Sequence, residues 1–305
     1  MTRLVGYGLT IESELPVPGA VAPNLTDQKT PDLCIRLVSP AGPAAAQPPG
    51  FARTEDGLVC FVPGVATYRC RPDAIGVAPL PAASPGDVAA LLVASALPAV
   101  LWMRGAFVLH AAAACWPGGR GALAIAGRSG AGKSTIVEQL LELGALLVGD
   151  DSLAIEARTA PPLARGLPGA VRRAQAGGGS EFRAIDAEQP CLGAPLAAVL
   201  VLTEADSAWS IERVAGVEAA RRLLANRHRP RAALLAGRAA DNLADCTRLV
   251  AGVPVYVWRR PRGRPELDPG EREMLTAWLA NSKEPPSRFG GAMTSGSGPR
   301  SRTGS

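Results

Sequence analysis

A glycine-rich segment, Gly127-Arg128-Ser129-Gly130-Ala131-Gly132-Lys133-Ser134, has the spacing G-x-x-x-x-G-K-[ST]. Glycines in this pattern let backbone N–H groups wrap closely around phosphate oxygens, while the lysine reaches the β and γ phosphates and the hydroxyl ligates Mg²⁺. Only three of the 32 basic residues of the chain are lysines, so chance is a weak explanation of the match. The segment predicts binding of a nucleoside triphosphate with Mg²⁺. The predicted contact residues are Gly127, Ser129, Gly130, Ala131, Gly132, Lys133, Ser134 and Thr135.

Two adjacent carboxylates, Asp150 and Asp151, come directly after the apolar run Ala145–Val148. Ligands of open α/β sheets bind at the carboxyl ends of strands, so we expect this pair to face the bound phosphates. One carboxylate can hold Mg²⁺, and the other can accept the proton of an incoming hydroxyl. Without the glycine-rich segment, a plain acidic turn after a strand would be the better explanation of the pair.

The chain has only two histidines. His110 lies in the apolar run Phe107–Ala112, where an imidazole could donate to a phosphate oxygen or orient the acceptor. On the residues alone, a satisfied core histidine is the commoner reading of such a position. His228 is flanked by Arg227 and Arg229, which predicts a surface position.

Residues 161–179 are rich in Gly, Pro and Arg and show no periodicity. This composition is typical either of a loop that closes over a substrate or of an irregular surface excursion. Its arginines are either solvated or candidates to stabilise transferred phosphoryl charge. These are Arg165, Arg172 and Arg173, of which Arg172 is the predicted phosphate or substrate contact.

The elements around the glycine-rich segment have the order that phosphate binding requires. Ala122–Ala126 is predicted to be a buried strand, and 134–143 is predicted to be a helix with one apolar face. The segment would then lie at a helix N-terminus, where free N–H groups and the helix dipole attract anions. Further predicted strands at Phe107–Ala112, Ala145–Val148, Ala197–Leu202 and Val253–Trp258 indicate an α/β core. Helices are predicted at Val217–Asn226, Arg231–Ala251 and Pro269–Asn281, the last opened by a capping box of Asp268 and Glu271.

The pattern predicts three regions along the chain. Residues 1–83 alternate short apolar runs with Pro/Gly-rich turns, which predicts a small β-rich N-terminal region. Residues 84–281 would form the nucleotide-binding domain, beginning with a helix that has Ser84 as N-cap and Pro85 at its first position. The apolar run Val88–Met103 is shorter than a membrane span and contains a proline, which favours a buried helix. Residues 282–305 are predicted to be a disordered tail.

Composition narrows the possible partners. The chain has 305 residues, 47% apolar content and a net charge of +5, a mild excess that does not indicate nucleic acid. A basic run, Arg259–Arg264, lacks interleaved aromatic residues and is expected to be a solvated loop. Six dispersed cysteines without a C-x-x-C pair indicate free thiols and no zinc site. The N-terminus is too polar for a signal peptide, so a cytoplasmic protein without a membrane partner is expected.

The order and spacing of His110, the glycine-rich segment and Asp150-Asp151 resemble the catalytic core of HPr kinase/phosphorylase, over roughly residues 105 to 160. The resemblance implies an α/β fold with a P-loop core of the HPr kinase/PEP carboxykinase-like kind. It implies an ATP-dependent serine kinase in which Asp150 is the base, Asp151 lies near Mg²⁺ with Ser134, Lys133 holds the phosphates, and His110 is an active-site group that contacts the phosphoryl group. The family's downstream Glu-x-Arg-Gly-type segment has no counterpart here, which leaves the reverse phosphorolysis reaction open.

The whole chain is similar to the shorter HPr-kinase-like proteins associated with lasso-peptide biosynthesis. The similarity lies in the opening Tyr7–Pro16, the β-rich leader region and Leu109-His110-Ala111. It implies that the acceptor is a serine hydroxyl at the C-terminal end of a precursor peptide, and by analogy with similar kinases it leaves a homo-oligomer open.

Two other functions are compatible with a nucleotide-binding loop. A P-loop ATPase that couples hydrolysis to movement would carry a further signature motif and an apolar strand ending in Asp-Glu, and we find neither. A non-catalytic nucleotide-sensing module would bind a partner through its β-rich half. The acceptor peptide, the number of phosphates added and the preference for ATP over GTP are not encoded in recognisable motifs.

Overall fold

The computed structural model describes residues 1–23, 29–39, 48–119, 121–174, 180–186, 190–264, 266–281 and 288–290. These residues form a mixed α/β structure, as expected. The strands are β1 Thr2–Gly6, β2 Leu9–Ser13, β3 Leu33–Leu37, β4 Gly50–Thr54, β5 Gly57–Val62, β6 Ala66–Cys70, β7 Ala74–Pro79, β8 Phe107–Leu109, β9 Ala111–Cys115, β10 Ala122–Ala126, β11 Leu146–Gly149, β12 Leu153–Glu156, β13 Leu163–Arg165, β14 Ala170–Ala174, β15 Ser180–Ala184, β16 Ala194–Ala205, β17 Ser210–Val214, β18 Val255–Pro261 and β19 Arg288–Gly290. The helices are α1 Pro85–Leu91, α2 Leu97–Met103, α3 Lys133–Glu142, α4 Gly216–Ala225, α5 Pro230–Leu235, α6 Ala239–Gly252 and α7 Pro269–Asn281, with a π-helical turn, Leu92–Ala96, between α1 and α2.

The first sheet contains β1 to β7 in the order β1-β2-β3-β7-β6-β5-β4. Several of its strands alternate buried and half-buried side chains, as in β6, where Ala66, Tyr68 and Cys70 are buried and the residues between them are half-buried. This period of two is what a sheet with one face on a core produces. The sheet ends at Pro79 and α1 begins at Pro85, while the domain boundary at 83 and 84 stays a prediction.

The second sheet has three parallel strands at its centre, in the order β10-β16-β18. On one side β9 and β11 continue the sheet antiparallel from β10, and on the other side β17 and β19 continue it from β18. The start of β16 also pairs with β13, which leads to β12 and β8. Strands β9 and β10 are buried at every residue, because both faces of the sheet are covered.

The predicted strand Phe107–Ala112 is two strands that separate at His110. The strand β8 pairs with β12, whereas β9 pairs with β10 and β11, so the chain changes partners at this residue. The backbone N–H of His110 donates to the carbonyl of Asn226 at 2.8 Å and not to a strand. The break leaves the His110 side chain at the end of two strands, where it is partly accessible.

The prediction of an irregular loop over 161–179 is wrong for the residues that the structure describes. Leu163–Arg165 is β13, and Ala170–Ala174 is β14, which forms an antiparallel hairpin with β15. Residues 175–179 lie outside the described residues. Two glycines in the described part of this segment serve close contacts instead: the Cα of Gly166 lies against Gly149, and a Cβ at Gly169 would lie 3.0 Å from the carbonyl oxygen of Gly19.

The apolar run forms α1, the π-helical turn and α2, and Ser84 caps it by accepting from the backbone N–H of Asp87, as predicted. Pro98 has no N–H, so the carbonyl of Ala94 has no α-helical donor four residues later, and the π-helical turn falls at this place. Pro85–Met103 is the one helix among the described residues that is long and apolar enough to cross a membrane, and 78% of its most apolar window is buried inside the fold. Packing in the core accounts for its composition.

The remaining helices follow their predicted positions with one exception. The predicted helix Arg231–Ala251 is two helices, α5 and α6, because Gly237 between them has a φ of +76°. The capping box of α7 is formed as predicted, with Glu271 N–H donating to Asp268 at 2.8 Å and Asp268 N–H donating to Glu271 at 3.0 Å. Within the predicted disordered tail, 288–290 pair with the free edge of β17 as a short strand, which corrects the prediction there. The rest of the tail lies outside the described residues.

A backbone contact between Gly149 and Gly166 positions the end of β11. A Cβ at position 149 would lie 2.7 Å from the Cα of Gly166 and 3.0 Å from the N of Leu167, closer than side chains pack. We predict that Gly149→Ala lowers the free energy of unfolding by about 1–3 kcal/mol, because backbone must move to admit the methyl group. Urea denaturation measures this.

The matched control is Gly252→Ala at the end of α6, where an added Cβ meets nothing within 4 Å. This variant is expected to match the native protein or exceed it by a few tenths of a kcal/mol, since alanine favours helix over glycine by roughly 1 kcal/mol at interior positions. Equal stability of the two variants would show that the contact at Gly149 relaxes freely.

Candidate functional site

The glycine-rich loop connects β10 to α3, so strand, loop and helix have the predicted order. Gly132 precedes the first residue of α3 with a φ of +91°, a conformation that a residue with a Cβ rarely adopts. Gly130 is likewise left-handed, at +79°. The loop therefore brings its backbone to the N-terminus of α3, where unpaired N–H groups favour an anion.

Lys133 lies at the first position of α3 and is 94% buried, with a relative exposure of 6%. Its ammonium donates three hydrogen bonds, each 3.0 Å long, to the carbonyls of Gly127 and Arg128 and to Nε2 of His110. Burial lowers the pKa of Lys133, and the charges of Asp151 and Asp150 oppose that shift. The lysine is thus folded back onto the loop and is joined to the predicted site histidine.

Ser134 and Asp150 are in direct contact, because the Ser134 hydroxyl donates to Oδ1 of Asp150 at 2.9 Å. The other carboxylate oxygen of Asp150 accepts from the backbone N–H of Arg172 at 2.8 Å. Burial raises the pKa of Asp150 to about 6, against the effect of these two hydrogen bonds. The expectation was that Ser134 would share a magnesium ion with Asp151, whereas the structure brings Ser134 to Asp150.

Asp151 faces a different set of groups. Its backbone has a φ of +69°, and its carboxylate accepts from Nη1 of Arg172 at 3.0 Å and lies 3.6 Å from Nδ1 of His110. Burial alone would raise the pKa of Asp151, but His228, Arg172 and His110 outweigh burial and lower it. Asp151 is therefore ionised. Its left-handed backbone turns the carboxylate toward Arg172 and His110 and away from Ser134.

His228 is buried at 6% exposure and lies in the site, so the prediction of a surface position is wrong. Its Nδ1 is 3.2 Å from Nδ1 of His110. The Nδ1 atoms of the two histidines lie 3.0 Å (His228) and 2.9 Å (His110) from the carbonyl oxygen of Asp151. The flanking arginines suggested that His228 is exposed to solvent. In the structure, Arg229 donates to the carbonyl of Ala94 and Arg227 donates to the carbonyl of Leu224. The separation of 118 residues from His110 left no local signal.

The pKa values of both histidines are lowered. For His228, burial lowers the pKa to about 4, and the charge of Asp151 only partly offsets that effect. For His110, burial acts first and the charge of Lys133 second. Both rings are therefore neutral in the folded protein near pH 7.

This arrangement predicts a dependence of stability on pH. Below pH 6.5 the unfolded chain gains a proton at His228 that the folded protein does not take up until about pH 4. The free energy of unfolding should therefore fall as the pH is lowered through this window. His228→Gln removes this proton uptake, so its stability should fall less between pH 7 and pH 5 than that of the native protein, as measured by urea denaturation at both values. The same fall in both proteins would argue against a buried neutral His228.

A cavity of about 890 Å³ opens beside the loop and is lined by Gly127, Ser129, Gly130, Ala131, Gly132 and Thr135 among the predicted contact residues. Its lining also includes arginines of α4 and of the segment at and after the end of β18. These are Arg221, Arg222, Arg260, Arg262 and Arg264. A cavity lined by the glycine-rich loop and by guanidinium groups suits a polyanion of nucleotide size.

Part of the basic run Arg259–Arg264 differs from the solvated loop that we expected, because Arg259 and Arg260 belong to β18, whereas Arg262 and Arg264 are exposed as expected. Arg260 is 6% exposed, and its guanidinium donates to both carboxylate oxygens of Glu271 at 2.8 and 3.1 Å. This buried pair joins the end of β18 to the first turn of α7 and fixes one wall of the cavity. The capping box of α7 therefore also orients a residue of the cavity wall.

Two of the arginines proposed from the sequence lie outside the site. Arg165 pairs with Glu156 at 2.6 Å on the neighbouring strand, and Arg173 pairs with Glu138 of α3 at 2.9 Å. Of the three, only Arg172 contacts the acidic pair, through its backbone N–H to Asp150 and its side chain to Asp151. Strand β14 thus supplies one arginine that contacts the acidic pair and one that attaches the hairpin to α3.

No protein-family model and no curated protein matches the chain. Among solved structures, it is similar to the HPr(Ser) kinase/phosphatase from Coxiella burnetii, with 13% sequence identity and a TM-score of 0.31. The similarity covers 56% of this chain and 92% of that one. The function is therefore argued from the geometry of the site.

Proposed function

We propose that the protein is an ATP-dependent serine kinase with a P-loop core of the HPr kinase/PEP carboxykinase-like kind. The observation that carries the proposal is the contact of 2.9 Å between the Ser134 hydroxyl and Asp150, beside a buried lysine and directly after the glycine-rich loop that lines a cavity of nucleotide size. A loop serine next to a strand-end carboxylate is the donor set that holds Mg²⁺ in P-loop nucleotide-binding enzymes.

The triphosphate is assigned to the glycine-rich loop, with its phosphates against the loop N–H groups and Lys133, and the rest of the nucleotide to the cavity that the loop and the arginines line. Ser134 and Asp150 offer the oxygen ligands that Mg²⁺ prefers, so these residues fit the ion. When bound, Mg²⁺ neutralises charge that develops on the transferred phosphoryl group. Asp151, kept ionised by the guanidinium of Arg172, accepts a hydrogen bond from the incoming hydroxyl and orients it toward the phosphate. The two aspartates thus exchange the roles that the sequence suggested.

The acceptor is proposed to be a serine of a peptide or small protein. A lasso-peptide precursor is the specific candidate, and its support is the resemblance of the opening Tyr7–Pro16 and the β-rich leader region to proteins of that biosynthesis. ATP as the donor rests on the resemblance as well, because the glycine-rich loop and the arginines of the cavity are groups that bind phosphate and not a particular base.

Radiolabelled ATP and Mg²⁺, incubated with the full chain and serine-containing peptides, test the proposal. Each peptide is paired with a twin in which alanine replaces serine. Label on the serine peptide and not on its twin supports a serine kinase. Free phosphate alone would indicate an ATPase, and nucleotide binding without turnover would indicate a nucleotide-sensing module. Either of these outcomes overturns the proposal.

A further inference from the structure

A chain of hydrogen bonds runs from the glycine-rich loop into the core through both histidines. It begins at Lys133, continues through His110 and His228, and ends at the carbonyl of Ala94 in the π-helical turn. His228 does not contact the glycine-rich loop in this series, yet it lies at the centre of the hydrogen-bond series.

The hydrogen on the His110 ring can be assigned from its partners. The ammonium of Lys133 has only donors, so Nε2 of His110, 3.0 Å away, must accept from it. The single ring hydrogen of neutral His110 is then on Nδ1, where it donates to the carbonyl oxygen of Asp151 at 2.9 Å and points toward Nδ1 of His228 at 3.2 Å.

The hydrogen on the His228 ring follows from the first assignment. An N–H on Nδ1 of both rings would place two donors face to face at 3.2 Å, so Nδ1 of His228 is bare. Its hydrogen lies on Nε2 and donates to the carbonyl of Ala94 at 3.0 Å. That carbonyl is available because Pro98, four residues later, has no N–H to offer it.

We propose that His228 is a positioning residue: it keeps the hydrogen of His110 on Nδ1, which leaves Nε2 of His110 bare to hold the ammonium of Lys133 beside the phosphate-binding loop. The inference rests on the proposed function only in giving Lys133 a phosphate to bind. It also changes the expected part of His110, which accepts from Lys133 through Nε2 and does not donate to a phosphate oxygen from that atom.

A metal ion is the competing explanation of the same residues. One ligand atom each of His110, Asp151 and His228 lie within 4.8 Å of one another, a spacing that a zinc-type ion could use. The surroundings oppose this, because Lys133 contacts His110 and Arg172 contacts Asp151, which places two cations against the ligands. The hydrogen-bond chain uses the same atoms and matches every donor to an acceptor, and it leaves one contact between two acceptors, the bare Nδ1 of His228 at 3.0 Å from the carbonyl oxygen of Asp151.

Nuclear magnetic resonance of the full, untagged chain labelled with ¹⁵N-histidine tests the assignment without a nucleotide, because the chain has only two histidines. At pH 7 we expect His110 to carry its hydrogen on Nδ1 and His228 on Nε2. A hydrogen on Nε2 of His110 overturns the proposal. So does a shift of both Nδ1 signals on adding Zn²⁺ that EDTA reverses.

Two substitutions separate positioning from packing. In His228→Asn the amide oxygen can take the place of Nδ1 and keep an acceptor for His110. In His228→Gln the amide can take the place of Nε2 and keep only the bond to Ala94. If His228 acts through His110, His228→Asn retains the His110 tautomer and the affinity for ATP and Mg²⁺, whereas His228→Gln loses the single tautomer and binds about 10-fold more weakly. Equal losses in both, or a greater loss in His228→Asn, would mean that His228 only supports the fold.

The native protein's ring signals decide the inference even where a variant folds poorly. Peptide phosphorylation is measured separately. If the native protein shows the expected tautomers and binds ATP but labels no peptide, the kinase proposal fails while the positioning role stands. If it labels peptides but His110 carries its hydrogen on Nε2, the positioning role fails while the kinase proposal stands.

Discussion

Replacing Lys133 with methionine is expected to reduce ATP turnover by about 10²–10³-fold, the usual cost of removing one preorganised charge or donor from a transition state. Methionine keeps an unbranched side chain of similar length, so the helix start and the packing of the stem are retained. What is lost is the ammonium, which in the structure donates to Gly127, Arg128 and His110. Turnover is measured as label released from ATP or transferred to peptide.

Lys29→Met is the matched control, because Lys29 is exposed and belongs to the N-terminal region. It removes the same charge from the protein and should leave turnover unchanged. If Lys133→Met retained the native rate, or if Lys29→Met lost as much, the loop lysine would have no special part in the reaction. Thermal unfolding of both variants shows whether either has lost the fold.

Asp150→Asn should abolish the gain in nucleotide affinity that Mg²⁺ gives the native protein and lower turnover by about 100-fold or more. The amide keeps the shape of the side chain but offers no negative charge beside the Ser134 hydroxyl. Burial raises the pKa of Asp150 to about 6, so keeping this carboxyl ionised lowers the free energy of unfolding. The neutral variant should therefore be no less stable. Titration of a fluorescent ATP analogue with and without Mg²⁺ measures the effect.

Asp151→Asn is the informative partner of this experiment. It should keep the gain from Mg²⁺ and lose phosphoryl transfer, because Asp151 faces Arg172 and His110 and not Ser134. The opposite pattern, with the gain lost only in Asp151→Asn, would restore the assignment that the sequence suggested. The two variants carry the same change of one charge at adjacent positions, so general electrostatic effects are matched.

The parts of the site that could be predicted from the sequence are those that neighbouring residues specify. The order of β10, loop and α3 follows from apolar runs on either side of closely spaced glycines, and the acidic pair follows a strand in the same way. Ser84 and the pair Asp268 and Glu271 cap their helices through residues three apart. Each of these signals lies within a few residues of the structure that it produces.

The parts that could not be predicted depend on contacts between distant segments. His228 reaches the site because the segment after α4 runs beside β8, with its backbone N–H donating to the carbonyl of Val108. The Ser134 contact to Asp150 and not Asp151 depends on the left-handed turn at Asp151 and on Arg172, which comes from the hairpin β14–β15. Adjacent arginines around His228 looked solvated because their partners are backbone carbonyls, which the sequence does not mark.

The first hairpin, β1–β2, is attached to a part of the chain that is made much later. Tyr7 N–H donates to the carbonyl of Gly166 at 2.8 Å, and Gly169 N–H donates to the carbonyl of Gly19 at 2.8 Å. On the ribosome, the N-terminal sheet can therefore begin to form early. The β1–β2 hairpin has no hydrogen-bond partner for Tyr7 until residues 166–169 have left the exit tunnel. The attachment of this hairpin and the placement of Gly149, next to Asp150, thus both wait for the synthesis of Gly166, which also packs against Gly149.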